Sequence, residues 1–352
     1  MFNIKELDIK SHKRVVAVTD ETTGLDSIVA IHNTNLGTAL GGCRAMTYES
    51  GSAALNDALN LSKGMTYKNS LAGLDLGGGK SVINLNGKVL TDDMLKSFAE
   101  GLNEINKDGR EYVTAGDIGT NTNHLITMRK YTEFVNGHIG SDSGIATAFG
   151  VFQAMKAAVE FKGQDIKDQI VSVLGYGKVG SRLTNFLIEA GAHVIVSDIA
   201  NPFDDGRLEH KVGTLGRGAV GTAHLNGTVF APCATGGALN GITAPNLPVG
   251  HVVVGGANNQ LADETISRVL EARDILYVPD YLSNSGGVII VNTKSEELED
   301  LEYDDPRVHN KLLNIGNVTT EVLTRSVEEG LPTAEIADKI AEERFNGFKQ
   351  VN

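Results

Sequence analysis

Two lysines carry the chemistry this sequence shows most openly. Lys68 closes Gly64-Met65-Thr66-Tyr67-Lys68, and Lys80 closes Leu74-Asp75-Leu76-Gly77-Gly78-Gly79-Lys80. Glycine lets a backbone turn tightly and lets a ligand approach closely, so Lys80 is expected at the end of a glycine turn, fixed in a cleft. Two ammonium groups in one cleft repel, which favours the neutral form of one of them. A neutral lysine is a usable general base near neutral pH, and a charged one can hold a carboxylate. Two lysines picked blindly would be solvated surface charges. The motifs around this pair favour chemistry.

The elements that must position them follow from periodicity. Apolar residues at helical spacing predict a helix over 53–63, leading into Lys68. Short strands are expected at 15–19 and 27–32, with a buried one at 81–85 directly after Lys80. An amphipathic helix is expected over 92–105. A strand over 110–115 then runs into Gly116-Asp117-Ile118-Gly119, ahead of a helix over 122–134. Asp117 therefore reads either as an acid at a strand end or as the cap of the following helix. The polar, glycine-rich stretch from Gly137 to Gly144 is the expected hinge, and a helical pattern resumes over 146–161. A chain of 352 residues suggests two domains. We place the first at 1–137, rejoined by two C-terminal helices from about 310 to 352 that are separated near Gly330-Leu331-Pro332. The second runs from 138 to 309.

The second domain contains a complete nucleotide-binding pattern. A β-branched run over 169–174 meets Gly175-Tyr176-Gly177-Lys178-Val179-Gly180, a helix follows to about 190, and a strand over 193–197 ends at Asp198. Strand, glycine turn, helix, strand and acid make the βαβ unit of a dinucleotide-binding fold. Gly175 makes the turn, Gly177 admits the pyrophosphate, and Gly180 packs helix on sheet. The helix N-terminus, with Lys178 and Val179 entering it, receives the negative charge. Asp198 would hydrogen-bond the adenosine ribose and repel a 2′-phosphate, and Ile199-Ala200-Asn201 supplies no cation, so NAD is expected over NADP. Further strands are expected at 228–230, 252–254 and 275–278. The stretch 199–222 has weak periodicity, with one short helix near 207–212. Gly79-Lys80-Ser81 is not a nucleoside-triphosphate loop, because the glycine that loop needs five residues before Gly79 is Leu74.

Bulk composition narrows the classes. Acidic residues exceed basic ones by 13, and the pI near 5.2 disfavours a phosphate-backbone partner, so no nucleic acid is expected. No run of 18 apolar residues predicts a membrane span. The start MFNIKELDIKSHKR lacks an apolar signal region, and two cysteines, Cys43 and Cys233, make no disulfide framework. A reduced, cytoplasmic setting is expected. Both cysteines read as buried and unreactive, no histidines or cysteines have metal-ligand spacing, and the acid run 296–305 reads as a solvated face.

Taken together, the motifs resemble the amino-acid dehydrogenases related to glutamate dehydrogenase, in the branch that acts on leucine, valine and phenylalanine. The resemblance rests on the two lysine motifs, on Leu36-Gly37-Thr38-Ala39-Leu40-Gly41-Gly42-Cys43-Arg44 and on Asp117-Ile118-Gly119-Thr120. It continues through Ala231-Pro232-Cys233-Ala234, Gly255-Gly256-Ala257-Asn258-Asn259-Gln260-Leu261, Pro279-Asp280-Tyr281 and Asn284-Ser285-Gly286-Gly287-Val288-Ile289, and so covers about 28–345. It implies an α/β fold of two domains: an N-terminal substrate and oligomerisation domain, and a Rossmann domain for NAD. The active site would lie between them, and the chain would form a homo-oligomer. It implies that Lys68 grips the substrate α-carboxylate with help from Asn259, that Lys80 activates water, and that Asp117 exchanges a proton with the substrate nitrogen. Thr147 and Asn284 would lie at the nicotinamide end. The implied reaction is reversible oxidative deamination. Loss of hydride from Cα leaves an iminium, water adds to it, and ammonia and a 2-oxo acid are released.

Side-chain specificity follows from the matched pocket. Glutamate dehydrogenases carry a lysine where this chain has Leu40, and a substrate carboxylate buried against leucine without a partner would be costly. Leu40, Ala115, Val288 and Val291 match the branch's pocket, and all are apolar. Composition alone favours plain core roles for Val288 and Val291. A branched-chain substrate (leucine, valine or isoleucine) is expected. One methylene discriminates by only about 1–3 kcal/mol, so phenylalanine stays open, and so does a non-catalytic NAD-binding regulator. Four departures from the family stand out: the proline-free segment 141–146, Ser285 in place of alanine, a small residue, Gly116, at the pocket rim, and the weak helix signal after Asp198.

Overall fold

Alternation along the first strands assigns their two faces. In a computed structural model of the chain, which describes residues 2–137, 142–199, 212–215, 223–294 and 302–347, β2 (Arg14–Asp20) and β3 (Leu25–Asn33) turn Val16, Val18, Val29 and Ile31 to one side and Val15 and Ala30 to the other. They belong to a six-stranded sheet with β1 (Phe2–Glu6), β4 (Ala39–Met46), β5 (Gly77–Asn84) and β6 (Tyr112–Gly116), in the order β1-β2-β3-β5-β4-β6. β1, β2, β3 and β5 pair antiparallel in turn, whereas β4 runs parallel to both β5 and β6. One face packs on α2 (Asp92–Ile105) through Leu95, Phe98, Ala99 and Leu102. The other packs on α1 (Gly51–Leu71) through Ala54 and Ala58. α3 (Thr122–Arg129) follows β6.

The triple glycine is not a turn. Gly77, Gly78 and Gly79 are residues of β5, and each omits a side chain that a neighbour would strike. A Cβ on Gly77 would lie 2.1 Å from Asn33 O, one on Gly78 2.1 Å from Thr66 N, and one on Gly79 2.6 Å from the Tyr112 ring. Helix α1 can therefore settle on the strand. It also runs past the expected stop at 63 and through Gly64, beside whose would-be Cβ the space is open.

The second sheet is wholly parallel, with β7 (Ile170–Leu174), β8 (His193–Ser197), β9 (Val212–Leu215), β10 (Val229–Pro232), β11 (Val252–Val253) and β12 (Leu276–Tyr277) in the order β12-β11-β10-β7-β8-β9. That is the doubly wound order of a Rossmann sheet, and its reversal point lies between β7 and β10. The remaining α-helices are α4 (Ser143–Phe161), α5 (Gly180–Glu189), α6 (Thr243–Asn246), α7 (Thr265–Ala272), α8 (Asp280–Ser283), α9 (Gly286–Lys294), α10 (Pro306–Glu329) and α11 (Thr333–Gly347).

The chain divides into two units: Met1–Ser141 with Val291–Leu301 and Ala341–Asn352, and Asp142–Ile290 with Glu302–Ile340. The sequence placed both closing helices in the first unit. α10 instead belongs to the second and packs on α4, and only the end of α11 returns. There Tyr67 meets Phe345 and donates to Glu342 at 2.7 Å, while Arg344 binds Leu74 O at 2.7 Å. Residues 138–141 of the expected hinge lie outside the described residues, as do most of 199–222 and the first part of the acid run 296–305; of the helix expected near 207–212 only Val212 is described, and it begins β9.

Candidate active site

β4, β5 and β6 bring three charged groups to the α1 face of the first sheet. Lys80 follows Gly78 on that face, and Val82 continues it against α1. The β4 register places Leu40 beside Gly78 and Arg44 beside Val82, and β6 sets Val113 beside Leu40 and Ala115 beside Gly42. Two residues beyond Ala115 stands Asp117. Lys80 Nζ is in direct contact with Asp117 Oδ2, and Arg44 Nε donates to the same oxygen at 3.2 Å. Glycine makes this possible, since a Cβ on Gly42 would lie 2.7 Å from Gly116 O and 2.9 Å from Asp117 Cβ.

Lys80 is only 6% exposed. Burial works to raise the Asp117 pKa, but the charge and hydrogen bond of Lys80, with Arg44 behind it, outweigh burial and lower it. The sequence reading set Lys80 against another ammonium, whereas the group in contact with it is a carboxylate. Lys68 lies in the last turn of α1, half-buried, two residues after the Thr66 that rests on Gly78. Asn69 Nδ2, from the same turn, donates to Gly77 O at 2.6 Å and fastens helix to strand.

Asp117 is not a helix cap. Asn121 caps α3, its side chain accepting from His124 N at 3.1 Å. Asp117 is instead set by a tight turn, its N–H donating to Thr120 Oγ1 at 2.9 Å while that hydroxyl donates to Cys43 O at 2.7 Å. Leu40 is buried and Ala115 half-buried beside this cluster. Gly116 faces the other way, its would-be Cβ lying 3.5 Å from Leu125, so its small size does not open the rim.

In the second unit, the glycine turn after β7 adopts the conformation its residues predict. Gly175 has φ +97°, where a side chain would be strained, and Gly180 packs so tightly that a Cβ would lie 1.9 Å from Gly175 O. Beside Gly177 the space is open. Asp198 sits at the turn and accepts from Tyr176 N at 2.6 Å. Val179 leads into α5 with no side-chain cap, so the helix N-terminus offers free N–H groups. Lys178 is exposed, with Nζ 3.3 Å from Ser143 Oγ at the start of α4, and Arg182 pairs with Asp142.

Asn284 ends α8 and donates to Asn258 Oδ1 at 2.9 Å, but its own buried Oδ1 has no partner. Asn259 has φ +53° and is held by its N–H donating to Asp280 Oδ2 at 3.0 Å. Thr147 Oγ1 donates to Ser143 O at 2.7 Å, and a Cβ on Gly287 would lie 2.8 Å from it. Val288 and Val291 are half-buried on α9, which straddles the division between the units.

The comparisons with known proteins agree with this architecture. Residues 9–134 match the family described as Glu/Leu/Phe/Val dehydrogenase, dimerisation domain, and residues 140–201 and 208–351 match Glutamate/Leucine/Phenylalanine/Valine dehydrogenase. The chain belongs to that family. It is 38% identical to a valine dehydrogenase of Streptomyces coelicolor, over 96% of this chain and 93% of that protein. It is 36% identical to a leucine dehydrogenase of Bacillus cereus, over 97% and 93%. The crystal structure of L-tryptophan dehydrogenase from Nostoc punctiforme superimposes with a TM-score of 0.84 at 32% identity, covering 97% of each chain. The chain is thus an amino-acid dehydrogenase, an oxidoreductase with a two-domain α/β fold.

Both cysteines are free thiols, Cys43 buried and Cys233 half-buried. Burial pushes the Cys43 thiol up to about 12 and the Cys233 thiol up to about 11. Two site residues escaped the sequence reading. Val113 is 3% exposed on the α1 face of the sheet, and the strand register pairs it with Leu40. Arg44 stood in the quoted glycine motif without a role.

Proposed function

We propose that this dehydrogenase catalyses the NAD-dependent, reversible oxidative deamination of a branched-chain aliphatic L-amino acid. The observation that carries this reading is the pairing of buried Lys80 with half-buried Asp117 on a sheet face that also carries the apolar side chains of Leu40, Val113 and Ala115. None of the three can hydrogen-bond a polar substrate side chain, and a second carboxylate buried among them would lack a partner.

The residues fit a dinucleotide. The space beside Gly177 admits a phosphate, the α5 N-terminus supplies N–H groups, and the unpartnered Oδ1 of Asn284 awaits a donor such as an amide. Gly175, Gly177, Lys178, Val179, Gly180 and Asp198 would hold the adenosine and pyrophosphate end, with Thr147 and Asn284 at the other. When bound, the dinucleotide supplies the acceptor for the hydride that leaves Cα. Lys68 and Asn259 are the residues proposed for the α-carboxylate, and Leu40, Ala115, Val288 and Val291 those proposed for the substrate side chain. Ionised Asp117 takes a proton from the substrate ammonium, which leaves the uncharged amine that hydride loss requires. Lys80, once it has released its own proton to solvent, orients the water that adds to the carbon and takes a proton from it, and Asp117 returns a proton to the departing nitrogen. In sum, amino acid, NAD and water become 2-oxo acid, ammonium, NADH and a proton.

NADH formation at mildly alkaline pH tests the reading with leucine, valine, isoleucine, phenylalanine and glutamate. The branched-chain acids are expected to lead and glutamate to trail. Phenylalanine in the lead would keep the chemistry and overturn the pocket, and silence on all five in protein that binds NAD would indicate a non-catalytic regulator. Asp198 carries the cofactor preference. Asp198→Ala is expected to raise the KM for NAD about tenfold, since one hydrogen bond to a charged group contributes about 1.5 kcal/mol. It should also narrow the preference over NADP, as kcat/KM for the two cofactors would show. A homo-oligomer in the cytoplasm completes the proposal.

A further inference from the structure

Among the described residues, Arg44 is the one cation at the acid whose charge cannot leave. A guanidinium keeps its proton at any working pH, so Arg44 can act as a fixed charge but not as a relay. Its place is built from two sides. Nη1 meets Asp57 Oδ2 at 3.0 Å and Oδ1 at 3.3 Å on α1, and the Tyr48 hydroxyl donates to Asp57 Oδ2 at 2.7 Å. With that end of the planar group held, Nε is directed at Asp117 Oδ2, 3.2 Å away. The arginine side chain is 16% exposed and that of Asp57 27%.

The geometry points to Arg44 as a positioning residue that holds Asp117 ionised and oriented for proton exchange, with Asp57 and Tyr48 setting how much of its charge Asp117 feels. This rests on the reading of Asp117 as the acid that exchanges protons with the substrate nitrogen. The other titratable groups around Asp117 are Lys80 on β5, Cys43 on β4, Tyr112 on β6 and Tyr48 ahead of α1. Burial pushes Cys43, Tyr112 and Tyr48 up, so all three keep their protons throughout the acidic range. That leaves the Arg44–Asp57 balance to modulate the acid beside Lys80.

The balance has a signature that a merely structural ion pair lacks. Arg44→Met removes a charge that favours ionised Asp117, whereas Asp57→Asn removes one that opposes it. The experiment is the pH profile of kcat/KM for valine in the wild type, Arg44→Met, Arg44→Lys and Asp57→Asn, with circular dichroism, melting temperature and NAD binding measured alongside. The acidic limb is expected to move to higher pH in Arg44→Met and to lower pH in Asp57→Asn. In Arg44→Met, kcat should fall roughly 10–100-fold through lost alignment, with the KM for valine little changed and Arg44→Lys recovering part of the loss. Limbs that stay put, or that move the same way in both variants while melting temperatures fall, overturn the proposal. If Arg44→Met does not fold, Asp57→Asn carries the test, and an acidic limb that fails to move to lower pH there overturns the proposal. A wild type that turns over no amino acid removes the parent reading as well, whereas an active wild type with unmoved limbs removes only the role of Arg44.

Discussion

Lys80→Ala is expected to lose about 10³-fold in kcat with valine, within the range that a positioned acid or base contributes. The KM for the amino acid should change little, because the proposed carboxylate grip belongs to Lys68. NAD binding should be unchanged, because the glycine turn belongs to the other unit. The variant should fold, since Arg44 still meets Asp117 at 3.2 Å and the carboxylate is not left unpaired. Removing the contacting cation also withdraws the main influence that lowers the Asp117 pKa, so its carboxyl should titrate at higher pH. Lys80→Arg separates charge from base. It restores the cation but cannot give up its proton, so activity should stay low. Recovery by arginine would show that Lys80 acts as a charge alone, and an unchanged kcat in Lys80→Ala would remove it from the reaction.

What the sequence showed and what it hid divide along local and non-local lines. Helix α2 and strand β8 have the bounds that their periodicity predicts, because each is specified by its own residues. Thr91 caps α2 by accepting from Met94 N, and β8 is a short β-branched run. The Gly175 turn was legible for the same reason, as its left-handed backbone is a local demand. Strand β4 escaped notice because Leu40-Gly41-Gly42-Cys43 has no alternation, and nearly all of the strand is buried. The triple glycine was mistaken for a turn because its function depends on Thr66, Tyr112 and Asn33, which fold against it from three other places. Arg44 was visible as a residue and invisible as a role. Its partners lie 13 and 73 positions away, and only the α1 packing and the β4–β6 register bring them together.

Gly78→Ala should damage both the stability and the activity of the enzyme. The added Cβ would lie 2.1 Å from Thr66 N, 2.2 Å from its Oγ1 and 2.4 Å from its Cα, and two of these three atoms are helix backbone. Backbone cannot swing aside as a side chain can, so α1 must lift from β5 by more than an ångström or the strand must buckle. Thr66 also holds the ring of His32 on β3 at 2.8 Å, and Asn69 clamps Gly77, so displacement would strip several buried hydrogen bonds at once. Overpacking of this kind costs about 1–3 kcal/mol or somewhat more, and the melting temperature should drop accordingly. Catalysis should suffer further. Lys68 rides on the displaced turn and Lys80 on the strand beneath, and a shift of about 1 Å at a reacting centre costs on the order of 10²-fold. The control is Gly64→Ala in the same helix, where the space is open and the residue is exposed. Alanine there should leave activity intact and raise stability slightly, since it is the better helix former. Equal melting temperatures and equal kcat/KM for Gly78→Ala and Gly64→Ala would refute the idea that the bare strand is what seats the two lysines.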